Sequence, residues 1–181
     1  MRELNMTIRR VATGHNAEGK AVFASDVELE HDGGGGPIIY QIWAGDYKGV
    51  HLPDDGSEPA VEDEYFPRTG GFRFLKITTP PNGAAPVPEP ASGTFTPRRP
   101  MRYGFDADFP EGAGMHKTAS IDLMMVLSGE LTLELDDGAS KTVKAGNTII
   151  QNGTKHRWIN NGDVPAVMVA VIIGVDHDDF A

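Results

Sequence analysis

Short apolar runs broken by glycine and proline are the feature that most constrains the fold of this 181-residue chain. The runs have strand length, mostly alternate apolar with polar residues, and end at Gly, Pro, Asn or Asp. No segment of any length carries a helical stripe. The pattern predicts an all-β sandwich or barrel, with strands in the following runs: Lys20–Ser25, Pro37–Trp43, Phe72–Thr78, Met101–Phe105, Ile121–Leu127, Leu131–Leu135, Thr142–Val143, Thr148–Ile150, Arg157–Ile159 and Ala166–Ile173.

Composition narrows the class of protein. Apolar residues make up 39% of the chain, and no run approaches the ~18–20 apolar residues of a membrane span, so we expect a globular domain and no membrane partner. The formal charge of −10 disfavours a nucleic-acid partner, because such proteins gather Lys and Arg to neutralise phosphates. The chain has no cysteine, which removes disulfides and thiolate metal sites. With an N-terminus that lacks the apolar core of a secretory signal, this predicts a cytoplasmic protein.

Proline marks the expected boundaries along the chain. Residues 80–100 hold seven of the thirteen prolines, so 81–100 is predicted to be a long loop, either an inert linker or a lid over a pocket. Residues 1–80 are predicted to be a β-rich extension that packs on the barrel or on a second subunit. The barrel itself is expected at 101–174. An acidic tail follows at 175–181, and we expect it to be frayed and solvated.

Two stretches, 112–129 and 146–160, carry the residues suited to chemistry. Alternate side chains of a strand share a face. Two hairpins that each present a histidine, one of them with a carboxylate, could therefore converge inside a barrel. The side chains that share a face are His116, Thr118 and Asp122 in the first stretch, and His156, Trp158 and Asn160 in the second.

These two stretches resemble the two motifs of the cupin family. The first motif, G-x5-H-x-H-x3,4-E-x6-G, corresponds to His116-x-Thr118-x3-Asp122-x6-Gly129, and the second, G-x5-P-x-G-x2-H-x3-N, to Gly146-x6-Gly153-x2-His156-x3-Asn160. The 16 residues between them include Asp137-Gly138, a tight-turn signal. The resemblance is to small single-domain cupins of bacteria and fungi. It implies a cupin-type double-stranded β-helix, or jelly-roll barrel, with extra N-terminal strands and a long Pro-rich loop.

The same resemblance implies a metal site of altered composition. Cupins that bind a metal typically offer three histidines and one glutamate, and the matching positions here are His116, Thr118, Asp122 and His156. Two imidazoles and one carboxylate are the ligand types of a facial triad, which suits Fe, Mn, Ni or Zn. His116, Asp122 and His156 are therefore the candidate metal ligands and catalytic residues. A site without metal is the alternative, since threonine ligates poorly beside imidazole and aspartate reaches less far than glutamate.

Five residues are candidates for substrate binding: Thr118, Met124, Trp158, Asn160 and Arg102. Arg102 belongs with Arg98 and Arg99 to a basic cluster that could bind a carboxylate or phosphate through paired hydrogen bonds. The alternative for the others is structural. Met and Trp can fill a barrel, and buried polar side chains can be satisfied by the backbone.

Two classes of function fit these residues. The first is an enzyme acting on a small organic molecule with a carbonyl, carboxylate or aromatic group. It could be a metal-dependent oxygenase, decarboxylase, dehydratase or isomerase, or could use a histidine oriented by Asp122 as general acid and base. The second is a barrel that binds or senses a small ligand without metal. The strands beyond a minimal barrel also predict a homodimer.

Overall fold

A computed structural model describes residues 7–31, 36–46, 51–59, 61, 64–85, 104–107 and 114–180. Residues 86–100 of the loop predicted over 81–100 lie outside these residues, as does the cluster of Arg98, Arg99 and Arg102. The described strands are Thr7–His15 (β1), Ala21–Glu30 (β2), Ile38–Gly45 (β3), Phe72–Thr79 (β4), Phe105–Ala107 (β5), His116–Thr118 (β6), Ser120–Ser128 (β7), Glu130–Glu134 (β8), Ser140–Lys144 (β9), Thr148–Asn152 (β10), Arg157–Ile159 (β11) and Ala166–Gly174 (β12).

The strands form an all-β fold of packed antiparallel sheets. A five-stranded sheet has the order β10-β7-β12-β4-β3, and a three-stranded sheet has the order β11-β8-β9. Strands β5 and β6 make a two-stranded ribbon, and β1 and β2 make a hairpin. Because β12 pairs with β7 on one side and with β4 on the other, the N-terminal strands β3 and β4 extend the main sheet.

The core lies between the two larger sheets. Strand β12 alternates buried and half-buried residues along its length, so Met168 and Ile172 point inward together with the small Ala170. Leu131 of the three-stranded sheet packs into the same cluster as Val126 of β7. Burial of these apolar side chains is the main favourable contribution to folding.

A short turn joins β8 to β9 at the predicted tight-turn signal. Asp136–Gly138 form a 3-10 turn in which Asp137 and Gly138 have φ values of 56° and 74°. Asp and Gly tolerate this left-handed region better than most residues. The turn sets the register of β8 against β9.

The sequence pattern missed two of the described strands. Strand β1 was not predicted, because its charged residues Arg9 and Arg10 interrupt the apolar run. In the structure Arg9 forms an ion pair with Asp26 across the hairpin, and the guanidinium carbon of Arg10 lies 4.8 Å from the centre of the Trp43 ring. Strand β6 has three residues, too few to show alternation. Of the strand expected at Met101–Phe105, residues 101–103 lie outside the described part of the chain, and Phe105 begins the observed strand Phe105–Ala107.

The acidic C-terminal tail is docked on the barrel over its described residues. Thr69 Oγ1 donates a hydrogen bond to Asp176 at 2.7 Å. The ammonium of Lys117 in β6 lies 2.7 Å from Asp179 and 5.7 Å from the centre of the Phe180 ring. The described tail residues therefore contact the barrel while Asp179 itself is exposed, and fraying of the tail stays a prediction. Among the described residues, no helix is long and apolar enough to cross a membrane.

Candidate functional site

A cavity of about 380 Å³ lies inside the barrel, a size typical of small-molecule sites. Its wall is mostly apolar, and Phe66 and Phe105 stack within it at a centroid distance of 5.4 Å. The residues that line it are Pro37, Ile39, Tyr65, Phe66, Ile77, Thr79, Phe105, Gly114, His116, Asp122, Met124, His156, Arg157, Trp158, Met168, Ala170 and Ile172.

The backbone brings two histidines side by side in this wall. The amide of His116 donates to the carbonyl of His156 at 2.9 Å, and the amide of His156 donates to the carbonyl of His116 at 2.8 Å. Residues that exchange both hydrogen bonds in an antiparallel pair project their side chains on the same face. The two imidazole rings therefore meet, with centroids 4.4 Å apart.

Each ring is held by a carbonyl two residues earlier in the chain. His116 Nδ1 lies 2.7 Å from the carbonyl oxygen of Gly114, and His156 Nδ1 lies 2.8 Å from that of Thr154. A carbonyl oxygen can only accept, so Nδ1 carries the proton in both rings and Nε2 presents a lone pair. Among the described residues neither Nε2 has a protein hydrogen-bond partner, and both rings face the cavity.

Burial keeps both rings neutral. It lowers the pKa of His156 to about 4, with the neighbouring His116 adding to the effect and the hydrogen bond to Thr154 opposing it. Burial also lowers the pKa of His116 below its usual value. Desolvation penalises the charged form of an imidazole. Near pH 7 the site therefore holds two neutral imidazoles with acceptor nitrogens.

Asp122 belongs to a chain of hydroxyl groups on the inner face of β6 and β7. Ser120 Oγ donates to Asp122 Oδ1 at 2.7 Å and lies 2.8 Å from Thr118 Oγ1. Burial raises the pKa of Asp122 to about 6, while the Ser120 hydrogen bond opposes the rise. Asp122 makes no hydrogen bond to either imidazole, so the expectation that it orients a histidine is wrong. The carbonyls of Gly114 and Thr154 do so.

The described residues fit a metal site incompletely. Neutral imidazoles with free Nε2 atoms are good ligands for Fe, Mn, Ni or Zn. Yet no group of three His, Cys, Asp or Glu side chains in the described part of the chain is placed to hold a metal ion. Asp122, the expected third ligand, is hydrogen-bonded to Ser120. The set His116, Asp122 and His156 therefore does not form the expected three-ligand site.

The residues expected to bind substrate have different positions. Met124 and Trp158 line the cavity, with the Trp158 ring edge-on to His156 at 6.2 Å. Thr118 is fully buried, its hydroxyl group is hydrogen-bonded to that of Ser120, and it does not line the cavity. Asn160 also lies outside the lining, and Arg102 lies outside the described residues.

Asn160 secures the loop between β11 and β12. Its Nδ2 donates to the carbonyls of Thr79 and Val164 at 2.9 and 3.0 Å, and its Oδ1 accepts from the amide of Gly162 at 2.9 Å. These bonds use both N–H groups and the carbonyl oxygen of the side-chain amide, and the residue is only 1% exposed. The structure thus gives Asn160 a structural role.

Replacing Asn160 tests this role. We expect Asn160→Ala to lower the free energy of unfolding by about 2 kcal/mol, because it leaves buried backbone groups without partners. The neighbouring Asn161 is exposed and has one side-chain bond, from Asn82 at 3.2 Å. Asn161→Ala should therefore change stability by less than about 0.5 kcal/mol. Urea unfolding of both variants measures the difference, and equal losses would contradict the assignment.

Several lining residues could not be chosen from the sequence pattern. Tyr65 and Phe66 come from an irregular segment that has no periodicity, and Phe105 stands at the edge of an uncertain strand. Met168 had a usable signal, since the alternation of β12 places it on the inner face. Arg157 borders the cavity, but its Nη2 binds both carboxylate oxygens of Glu134, its cross-strand neighbour, at 2.9 and 3.1 Å.

Comparison with known proteins identifies a domain within the chain. Residues 107–172 match the cupin domain model Cupin_2. A stretch of 46 residues is 50% identical to "Phomopsin biosynthesis cluster protein C'" of Diaporthe leptostromiformis, and covers 25% of this chain and 24% of that relative. The chain thus aligns with about a quarter of that protein's length.

One relative aligns over a longer stretch, and one solved structure is similar over part of its length. The "Cupin-domain-containing oxidoreductase virC" of Hypocrea virens is 27% identical over 177 residues, which cover 94% of this chain and 77% of that relative. The crystal structure of a Cupin_2 domain of an XRE family transcriptional regulator from Enterobacter cloacae aligns with a TM-score of 0.37 and 19% identity, over 58% of this chain and 83% of that one. With the motifs at His116 and His156 and the all-β fold around them, residues 107–172 of the chain form a cupin domain.

Proposed function

We propose that the cavity is the active site of a proton-transfer enzyme that acts on a small, largely apolar organic molecule. His116 and His156 serve as general bases in this proposal. The observation that carries it is the pair of acceptor Nε2 atoms, fixed by the Gly114 and Thr154 carbonyls and facing a mostly apolar cavity.

The close approach of the two rings favours proton capture from a ligand. Two imidazole lone pairs that face one space repel each other until a donor or a cation lies between them. A ligand proton relieves this repulsion. The imidazolium formed is stabilised by the negative charge that the ligand acquires, since opposite charges interact strongly in a cavity with little water.

The supporting groups hold the bases in one tautomer and orientation. Because the Nδ1–H groups are fixed by main-chain carbonyls, the rings need no reorientation to receive a proton at Nε2. Asp122, with its pKa raised by burial, is suited to return a proton to the ligand as general acid. Isomerisation and dehydration both need these two transfers.

The name of one relative points to oxidation and reduction as a further reaction class beside isomerisation and dehydration. The Hypocrea virens relative is called an oxidoreductase. Oxidation of an alcohol to a carbonyl releases the hydroxyl proton, which the same pair could accept, while a hydride passes to an acceptor supplied from outside the described residues. A metal held by His116 and His156 with ligands from water or substrate is the competing proposal.

Hydrogen exchange with solvent tests base catalysis before the substrate is known. In D2O, the wild type should speed deuterium incorporation next to the carbonyl in members of a panel of small aryl ketones, measured by proton NMR. Removing a general base typically costs 10²–10⁴-fold, so His116→Gln and His156→Gln should each slow the exchange by about 100-fold. His15→Gln, on an exposed histidine of the β1–β2 hairpin, should leave it unchanged.

The controls separate the two proposals. Protein treated with a chelator should retain the exchange rate if the imidazoles act alone. Loss of exchange on chelation, with recovery on adding Zn²⁺ or Fe²⁺, would favour the metal-bound site. Exchange that is indifferent to both histidine substitutions would contradict the active-site assignment.

A further inference from the structure

We infer that the ligand of this cavity is a neutral ring-containing molecule that donates a hydroxyl proton to the histidine pair, as a phenol or an enol does. This inference rests on the proposed function, since it takes the cavity to be the active site. It goes further by fixing the hydrogen-bonding direction, the shape and the charge of the molecule.

The direction follows from the tautomer of both rings. The Nδ1–H groups are already used on carbonyls, at 2.7 Å in His116 and 2.8 Å in His156. What each ring offers the cavity is therefore an acceptor. A carbonyl, ether or ester oxygen also only accepts, so it would meet lone pairs there. A hydroxyl group supplies the missing donor.

The shape follows from the wall. Aromatic side chains border the cavity near the histidines, with Phe105 centred 5.6 Å from His116 and Trp158 centred 6.2 Å from His156. Phe66 stacks on Phe105 with their planes 13° apart. Flat apolar faces of this kind favour offset or edge-on contact with another ring. A sugar would lose the hydration of several hydroxyl groups against the same wall.

The charge follows from the ionisable groups that face the cavity. The described lining contains one guanidinium, that of Arg157. Its Nη2 is paired with both oxygens of Glu134, whose charge balances it, while its buried Nε has no hydrogen-bond partner among the described residues. Asp122 adds a carboxyl group that would repel an anion when ionised. A carboxylate ligand would therefore lose its water without meeting a net positive charge in the described lining.

A matched series of three probes tests the inference on the full chain. The probes are 2-naphthol, 2-methoxynaphthalene and 2-naphthoate, which share one ring system and differ in the donor and the charge. Isothermal titration calorimetry at concentrations up to about 1 mM covers the expected range of weak binding. We expect 2-naphthol to bind about tenfold tighter than the methyl ether, because a buried acceptor left without a donor costs one hydrogen bond. The naphthoate should bind more weakly than both.

Substitution of the acceptors should remove only the preference for the hydroxyl probe. In His116→Phe or His156→Phe, or in the Leu variants if a Phe variant fails to fold, 2-naphthol should bind no tighter than the ether. The wild-type comparison stands without these variants. Equal binding of naphthol and ether to the wild type, or no binding of any probe, would overturn the inference.

The remaining outcomes are also decisive. Tightest binding of 2-naphthoate would overturn the inference and point instead to a cation near the cavity, as expected for Arg102. The proposed function can fail separately. If naphthol is preferred but no ketone exchanges with solvent, the cavity selects hydroxyl donors without acting as a base. If ketones exchange but naphthol is not preferred, the base stands and the ligand class is wrong.

Discussion

Acidification from pH 7 to pH 4.5 is expected to destabilise Asp122→Asn by about 2 kcal/mol more than it destabilises the wild type. His156→Gln should show the opposite difference, again of about 2 kcal/mol. The two residues line the same cavity, but burial moves their proton affinities in opposite directions. Their effects on stability nearly cancel in the wild type.

The signs follow from which state binds the proton. The pKa of His156 falls from 6.5 to about 4 in the folded protein, so between these values the unfolded chain binds a proton that the folded chain does not. Its contribution to stability is complete above pH 6.5 and is lost as the pH falls. The pKa of Asp122 rises from 3.8 to about 6, so between those values the folded chain binds the extra proton. Its contribution therefore grows as the pH falls.

The substitutions keep the local hydrogen bonds. Asn at position 122 still offers an oxygen to the Ser120 hydroxyl, which donates to Asp122 at 2.7 Å in the native chain. At pH 7 the Asn variant should also be more stable than the wild type, because it removes the cost of a buried carboxylate. His116 adds to the loss at low pH, since burial lowers its pKa too.

Urea unfolding at a series of pH values measures these differences, and the double variant is the control. Asp122→Asn with His156→Gln should restore a pH profile close to that of the wild type, because both opposing contributions are gone. Parallel profiles for the wild type and the two single variants would contradict the raised pKa of Asp122 and the lowered pKa of His156.

The meeting of the two histidines was within reach of sequence analysis. Alternation placed His116 and Asp122 on one face of their stretch and His156 on one face of the other, and the two motifs follow each other in the cupin order. These patterns depend on strand geometry, which a local sequence encodes well. The fold class was predicted correctly for the same reason.

The chemistry of the site was less accessible because it depends on rotamers and on irregular segments. Alternation gives the face of His116 but not which ring nitrogen binds a carbonyl. It also gives the face of Asp122 but not its choice of Ser120 over an imidazole. Phe66 completes the aromatic wall. It comes from a segment whose apolar residues show no regular spacing, so the neighbouring sequence does not indicate that it reaches the cavity.

Glycine at the turn between β10 and β11 connects the motif to the site physically. Gly153 has a φ of 62°, and a Cβ placed there would lie 2.9 Å from the carbonyl oxygen of Thr118 and 3.1 Å from the ring of His177. The turn thus crosses β6 at backbone contact distance. This close approach is what lets His156, three residues later, pair with His116.

Gly153→Ala is accordingly expected to lower the free energy of unfolding by about 3 kcal/mol, of which a left-handed alanine accounts for roughly 1–2 kcal/mol. The rest arises because the Thr118 carbonyl belongs to β6 and cannot yield without moving that strand. Gly146→Ala is the matched control, since Gly146 has a φ of 86° but nothing within 4 Å of its Cβ position. It should lose only about 1–2 kcal/mol.

The same pair of variants links the turn to the site. If β6 moves away in Gly153→Ala, the backbone hydrogen bonds between His116 and His156 lengthen. The Nδ1–H signals of the two imidazole rings then shift in NMR spectra. In Gly146→Ala these signals should stay in place, because that glycine contacts neither strand of the histidine pair. The contrary outcome is an equal loss of stability in the two variants with unchanged imidazole signals in both. It would mean that Gly153 is needed only for the conformation of its turn, and that β6 and β11 hold the histidine pair without it.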